Sequence, residues 1–185
     1  MQRVLLALLY FCSFFAVAGD TVLKLYRPFG ESIEQIEPKA KTSSAGQCVG
    51  QSQLSIREDA WRCLAEGIVY DPCFVKMSGN QQEVLCPQSP WVSDSVLLVL
   101  NTSLSGEHHQ RLDMSRSFPW AIELVNGEHC LAVEVNKLYD GMPIRYQCSG
   151  SNVLIGYLQR CKPEWSMLEK TSRGVETMRI QRAWF

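Results

Sequence analysis

Three histidines, one cysteine outside the obvious pairs and a few neighbouring carboxylates are the residues here that could do chemistry. Thiol catalysis needs a base and an orienting group beside the sulfur. Cys161 sits between Arg160 and Lys162, and nothing in the spacing brings His108, His109 or His129 to it. His108 and His109 are adjacent, and adjacent residues of an extended chain point to opposite faces. They therefore read as part of a polar loop and not as a shared metal site. Glu58 and Asp59, like Glu123 and Glu128, are pairs only in sequence. A glycosidase needs two carboxyls held at a set separation across a cleft, so these read as surface acids. The chain has no G-x-S-x-G, no phosphate-binding glycine loop and no H-E-x-x-H. Structural zinc sites draw on close pairs such as C-x2-C, and no two cysteines here are that close. No catalytic residue, metal or cofactor is assigned.

The cysteines say more as staples than as reagents. Val4 to Val17 is an apolar run after Arg3, and it ends in Ala16-Val17-Ala18. A basic start, a short apolar core and small residues at the end describe a secretory signal peptide over 1–18. Export leads to an oxidising compartment, where cysteines persist as disulfides. Cys73 and Cys86 flank Ser78-Gly79-Asn80-Gln81 almost symmetrically, and Cys130 and Cys148 flank Tyr139-Asp140-Gly141. Hairpins closing there place each pair at opposed positions, within disulfide reach. Spacing ranks the pairings without fixing them; this ranking leaves Cys48 with Cys63, and Cys161 over as a free thiol or the link of a disulfide dimer. Each bridge closes a loop of roughly 15 residues, worth about 3 kcal/mol in the chain-entropy treatment.

The elements that carry these residues are mostly strands. Period-two and β-branched patterns predict strands over 21–26, 82–86, 95–101, 119–125, 129–136, 143–148, 152–158 and 175–181. Asn126-Gly127 and Asp140-Gly141 mark hairpin turns. Ser55-Ile56-Arg57-Glu58 has the form of a capping box. It predicts one short helix with Ile56, Ala60 and Leu64 on one face, ended by Gly67. Lys39 to Gly46 is small and polar and reads as a loop, within an N-terminal arm over 19–46. Residues 47–185 are expected to form a single mainly β domain of antiparallel hairpins, stapled by about three disulfides.

Two tryptophans follow prolines, in Ser89-Pro90-Trp91 and Phe118-Pro119-Trp120. Such rings serve first as core and turn packing; their functional reading, together with the polar loop over 102–117, is an exposed aromatic surface for a glycan, a peptide or a protein. Charge narrows the field. The 185 residues carry 18 Lys and Arg against 19 Asp and Glu. This balance gives no footprint for nucleic acid or for an anionic membrane surface. Past the leader, no stretch is long and apolar enough to span a bilayer as a helix.

Asp59-Ala60-Trp61-Arg62-Cys63, Ile68-Val69-Tyr70-Asp71-Pro72-Cys73-Phe74, Cys86-Pro87 and Trp120-Ala121-Ile122-Glu123-Leu124 with Asn126-Gly127 and Cys130 form a string of phrases. The string resembles an exported cysteine-rich domain of bacteria. That domain occurs alone behind a signal peptide or as the outer domain of membrane-anchored Ser/Thr kinases. The resemblance covers about 48–158. It implies three bridges from six recurring cysteines, with Cys161 outside the pattern, and a periplasmic or extracellular sensor or ligand-binding role. It carries over no catalytic residue. The expectation is therefore an exported, non-enzymatic binding module. A small secreted hydrolase or thiol enzyme, and a structural envelope component, stand as alternatives.

Overall fold

The computed structural model describes residues 19–30, 36–78, 81–105 and 109–185. The leader over 1–18 and His108 lie outside the described residues. Among the described residues there are thirteen strands and no helix, and the strands build two closed sheets. The first consists of β2 (Lys39–Gln51), β3 (Ala60–Ala65), β4 (Ile68–Val75), β5 (Glu83–Pro87) and β6 (Asp94–Leu100). Each strand pairs antiparallel with the next, and β6 returns to β2 in parallel. An odd number of alternating strands can close only through one parallel pair, and β2–β6 is that pair.

The second sheet holds β1 (Val22–Lys24), β7 (Ala121–Leu124), β8 (His129–Ala132), β9 (Leu138–Tyr139), β10 (Met142–Cys148), β11 (Val153–Gln159), β12 (Ser166–Thr171) and β13 (Gly174–Trp184). Its path runs β13-β12-β11-β10-β8-β7, and a β7–β13 pairing closes the ring. The long β13 makes this closure possible. Its first half pairs with β12, and its second half lies between β7 and the parallel β1. Two of the expected turns are present. Asp140 and Gly141 both take positive φ, as a two-residue hairpin loop requires. Gly127 takes φ 83° in the β7–β8 connection.

Each sheet encloses its own core. Trp61, Val75, Val84 and Leu98 fill the first, and Ile122, Leu124, Leu154, Met167 and Ile180 fill the second. A third cluster joins them: Ala60 and Phe74 from the first barrel, Trp120, Ala121 and Trp184 from the second, and Tyr26 from the arm. Arg57 clamps the same junction. It forks onto Asp59 and donates to the main-chain oxygens of Tyr26 (2.7 Å) and Phe185 (3.0 Å).

All three expected disulfides are present, Cys48–Cys63, Cys73–Cys86 and Cys130–Cys148, each between neighbouring strands. Such bonds belong to an oxidising compartment. No helix among the described residues is long and apolar enough to cross a membrane.

The helix expected from Ser55 is a correction. A capping box needs the Glu58 carboxylate on the Ser55 amide. Instead Ser52 Oγ accepts from that amide at 2.8 Å, and Glu58 accepts from the Leu112 amide. Arg57 is drawn into the junction, and Ala60 to Ala65 alternate as a strand between β2 and β4. The loop expected at 39–46 is also a strand, so the arm ends before Lys39 and the 46/47 boundary falls inside β2. Its outward face is largely exposed, and the apolar alternation that marks a strand is therefore missing. The backbone is still fully engaged against β6. Gly46 marks the tightest point, where a Cβ would come within 3.1 Å of the Leu64 carbonyl oxygen.

Candidate functional site

The two barrels leave a cleft of about 570 Å³ between them. Its walls come from three places: the β2–β3 connection (Gln53, Leu54, Ile56), the β6–β7 connection (Gln110 to Phe118), and the β8–β10 side of the second barrel (Ala132, Val133, Val135, Arg145, Tyr146). Arg111, Arg116 and Arg145 bring three guanidinium groups to this one cleft, against the single carboxylate of Asp113. Glu58, just outside the lining, faces Arg111, and Asp113 faces Arg116, so the excess positive charge at the cleft is that of Arg145.

Arg145 is held in place. Its Nε donates to the Gly156 carbonyl at 2.7 Å, and its guanidinium lies 4.2 Å over the Phe118 ring. Tyr157, 70 % exposed, flanks it at 5.7 Å. No hydrogen bond from the described residues occupies the two terminal nitrogens of Arg145. Arg160 performs the structural counterpart. It donates to the carbonyls of Met114 (3.2 Å) and Ser117, and contacts the rings of Phe118 and Trp165. Burial pulls the Arg160 pKa down from its ordinary value, yet a guanidinium stays charged at any ordinary pH. Arg160 thereby fixes the turn that presents Asp113, Arg116 and Phe118.

Asp113 caps this turn. Ser115 donates to its carboxylate from both hydroxyl (2.6 Å) and amide (2.9 Å). These bonds hold the Asp113 carboxyl below the usual range. It stays ionised and makes a weak base. Tyr146 donates from its buried hydroxyl to the Pro119 carbonyl at 2.7 Å, and burial pushes that phenol far up. Neither histidine nor cysteine lines the cleft.

A salt-bridge network ties the barrels together beyond the cleft. Arg62 of β3 pairs with Asp71 of β4 and with Glu134, which follows β8. Asp71 also accepts from Ser52 and from the Gln53 amide. Burial still raises its pKa above the ordinary aspartate value.

The residues singled out from the sequence are dispersed. Trp120 is 2 % exposed and packs on Tyr26 and Phe74, so it is a junction residue and not a binding surface. Trp91 is half-buried. Its ring is covered by His129 in a parallel stack at 4.1 Å, and Trp184 meets it edge-on. Neither tryptophan offers an open platform. Cys161 is exposed in the β11–β12 connection. His109 meets Trp61 at a tilt, 4.1 Å between centroids, and His129 stacks on Trp91, so both rings are occupied by aromatic contacts. The expected polar loop contributes after all, because Gln110, Arg111, Asp113, Arg116 and Ser117 lie within 102–117 and line the cleft. Arg145 and Phe118 were not legible as a pair. Twenty-six residues separate them in the chain, and only the closed sheet brings them together.

Glu128, Cys148 and Glu169 offer ligand atoms close together. Cys148 is oxidised to the bridge with Cys130 and supplies no thiolate. Glu128 and Glu169 are instead linked through the Asn152 amide, which donates to both (3.3 and 3.0 Å). Burial first, then the Glu128 charge, pushes the Glu169 carboxyl up.

A second hollow, about 710 Å³, is lined by Trp61, Met77, Gln81, His109 and Arg111 and runs up to the edge of the described residues at Ser105. No protein-family model, curated protein or solved structure matches the chain.

Proposed function

We propose that the chain is an exported binding module, not an enzyme, and that it takes its ligand in the cleft between its two barrels. The cleft carries this reading. Its size is that of a ligand site, its walls combine aliphatic side chains with guanidinium groups, and the central guanidinium is oriented before any ligand arrives. Preorganised polar groups in an apolar cleft favour binding because little is lost in ordering them. The only carboxylate in the lining is engaged in capping a turn, so it makes a poor general base. The leader at 1–18 and the three disulfides support export. The resemblance to an exported cysteine-rich bacterial domain supports a sensor or ligand-binding role.

The test is a titration of the ¹⁵N-labelled, fully oxidised protein with a panel of peptides, oligosaccharides and small anions. Amide shifts should concentrate on Gln53, Ile56, Gln110, Val133 and Val135. Shifts confined to the Cys161 loop, or turnover of a panel member, would overturn the reading.

A further inference from the structure

The geometry points to an acidic peptide segment as the occupant of the cleft, with aliphatic side chains interspersed among its carboxylates. This inference rests on the cleft being the binding site and adds the chemistry of the ligand. Charge is the first argument. Arg111, Arg116 and Arg145 all line the cleft; Glu58 faces Arg111 and Asp113 faces Arg116, while no carboxylate of a described residue is paired with Arg145. The Arg111 and Arg116 side chains are exposed, and no hydrogen bond to a described residue engages either guanidinium. Guanidinium forks match planar carboxylates with two parallel hydrogen bonds.

Arg145 adds direction to this charge. Its Nε is committed to Gly156 and its face to Phe118. The edge bearing its terminal nitrogens is left for a ligand carboxylate, with the rotamer already fixed.

The walls decide between a peptide and a carboxylated glycan. Sugars recognised by proteins commonly lie on a free aromatic face. In this cleft the Phe118 ring is taken by Arg145 at 4.2 Å and contacted by Arg160, and Tyr146 is buried. What remains is aliphatic (Leu54, Ile56, Val133 and Val135) with the polar Gln53, Gln110 and Ser117 beside it. Such mixed walls fit a peptide, whose aliphatic side chains meet the former and whose main-chain amides meet the latter.

The experiment uses the full oxidised protein and a short capped peptide alternating Glu and Leu. The controls are the same peptide with Gln for Glu, an oligogalacturonate and inorganic phosphate. Affinity is read by calorimetry, and the site by amide shifts. The Glu peptide should bind at the cleft and weaken as salt is raised. R111Q/R116Q, two exposed positions, should keep the melting temperature and lose about tenfold or more in affinity. R145K keeps the charge but loses the fork, and it should also weaken binding. Equal binding of the Glu and Gln peptides, or undiminished affinity in R111Q/R116Q, would overturn the acidic ligand. So would tighter binding of oligogalacturonate or phosphate than of the Glu peptide. Cleft shifts from a neutral probe, indifferent to R111Q/R116Q, would refute the acidic peptide and leave the cleft standing as a site. No cleft shift with any probe would refute both.

Discussion

Trp120→Ala should separate the two barrels energetically without touching the cleft. Trp120 is 2 % exposed and contacts Tyr26 at 5.2 Å and Phe74 at 6.1 Å between ring centroids. A buried tryptophan removes roughly 200 Å² from water. At about 25 cal/mol per Å² this amounts to about 5 kcal/mol. The alanine retains a small part of it, and the cavity left behind adds a cost of its own. The expected loss is therefore about 4 kcal/mol, within the range of about 3–5 kcal/mol found for large aromatic truncations. That is a large share of the ~5–15 kcal/mol that holds a typical domain together. Each barrel keeps its own core and at least one disulfide. Unfolding in urea, followed by far-UV circular dichroism and by amide exchange in each barrel, should then split from one transition into two. A loss below about 1 kcal/mol, with a single transition retained, would show that the Tyr26–Phe74–Trp120 cluster does not couple the barrels, and the reasoning from burial would fail.

Three further outcomes are expected. Replacing Cys130 and Cys148 together by alanine releases a loop spanning 18 positions, and the chain-entropy treatment gives a loss of about 3 kcal/mol, read as a lower urea midpoint. Cys161 is exposed while the other six described cysteines are bridged. Intact mass after alkylation without reduction should therefore show one added group among these seven, and two or more would refute the pairing. Glu169 is 1 % exposed and its folded pKa is raised above its unfolded value. Its contribution to stability is accordingly full below the ordinary glutamate range and fades as pH rises through the folded pKa. Glu169→Gln, which mimics the protonated acid, should flatten the pH dependence of the urea midpoint in that window, and an unchanged profile would show that Glu169 does not titrate there.

The cysteine spacings ranked the disulfides correctly, because Cys73–Cys86 and Cys130–Cys148 flank turn residues that fix which positions face each other, and Cys48–Cys63 was the pair left over. Most strands were legible for a related reason, since one buried face imposes a period of two. The failures were non-local. Ser55 to Glu58 has the chemistry of a helix start, but Arg57 makes more bonds at the junction with Tyr26 and Phe185, residues far away in the chain. β2 has little apolar pattern to read because its outer face meets water, and only its parallel pairing with β6 makes it a strand. Whether Trp120 packs in a core or forms a surface was open in the sequence, because its burial depends on a second barrel that no local signal announces. The cleft belongs to the same class. Arg111, Arg116 and Arg145 have no meaningful spacing in sequence, and they converge because the β6–β7 connection lies against the β10 strand of the closed second sheet. Local turn chemistry and periodicity are encoded over a few residues, whereas closure and the junction between barrels depend on contacts across the whole chain.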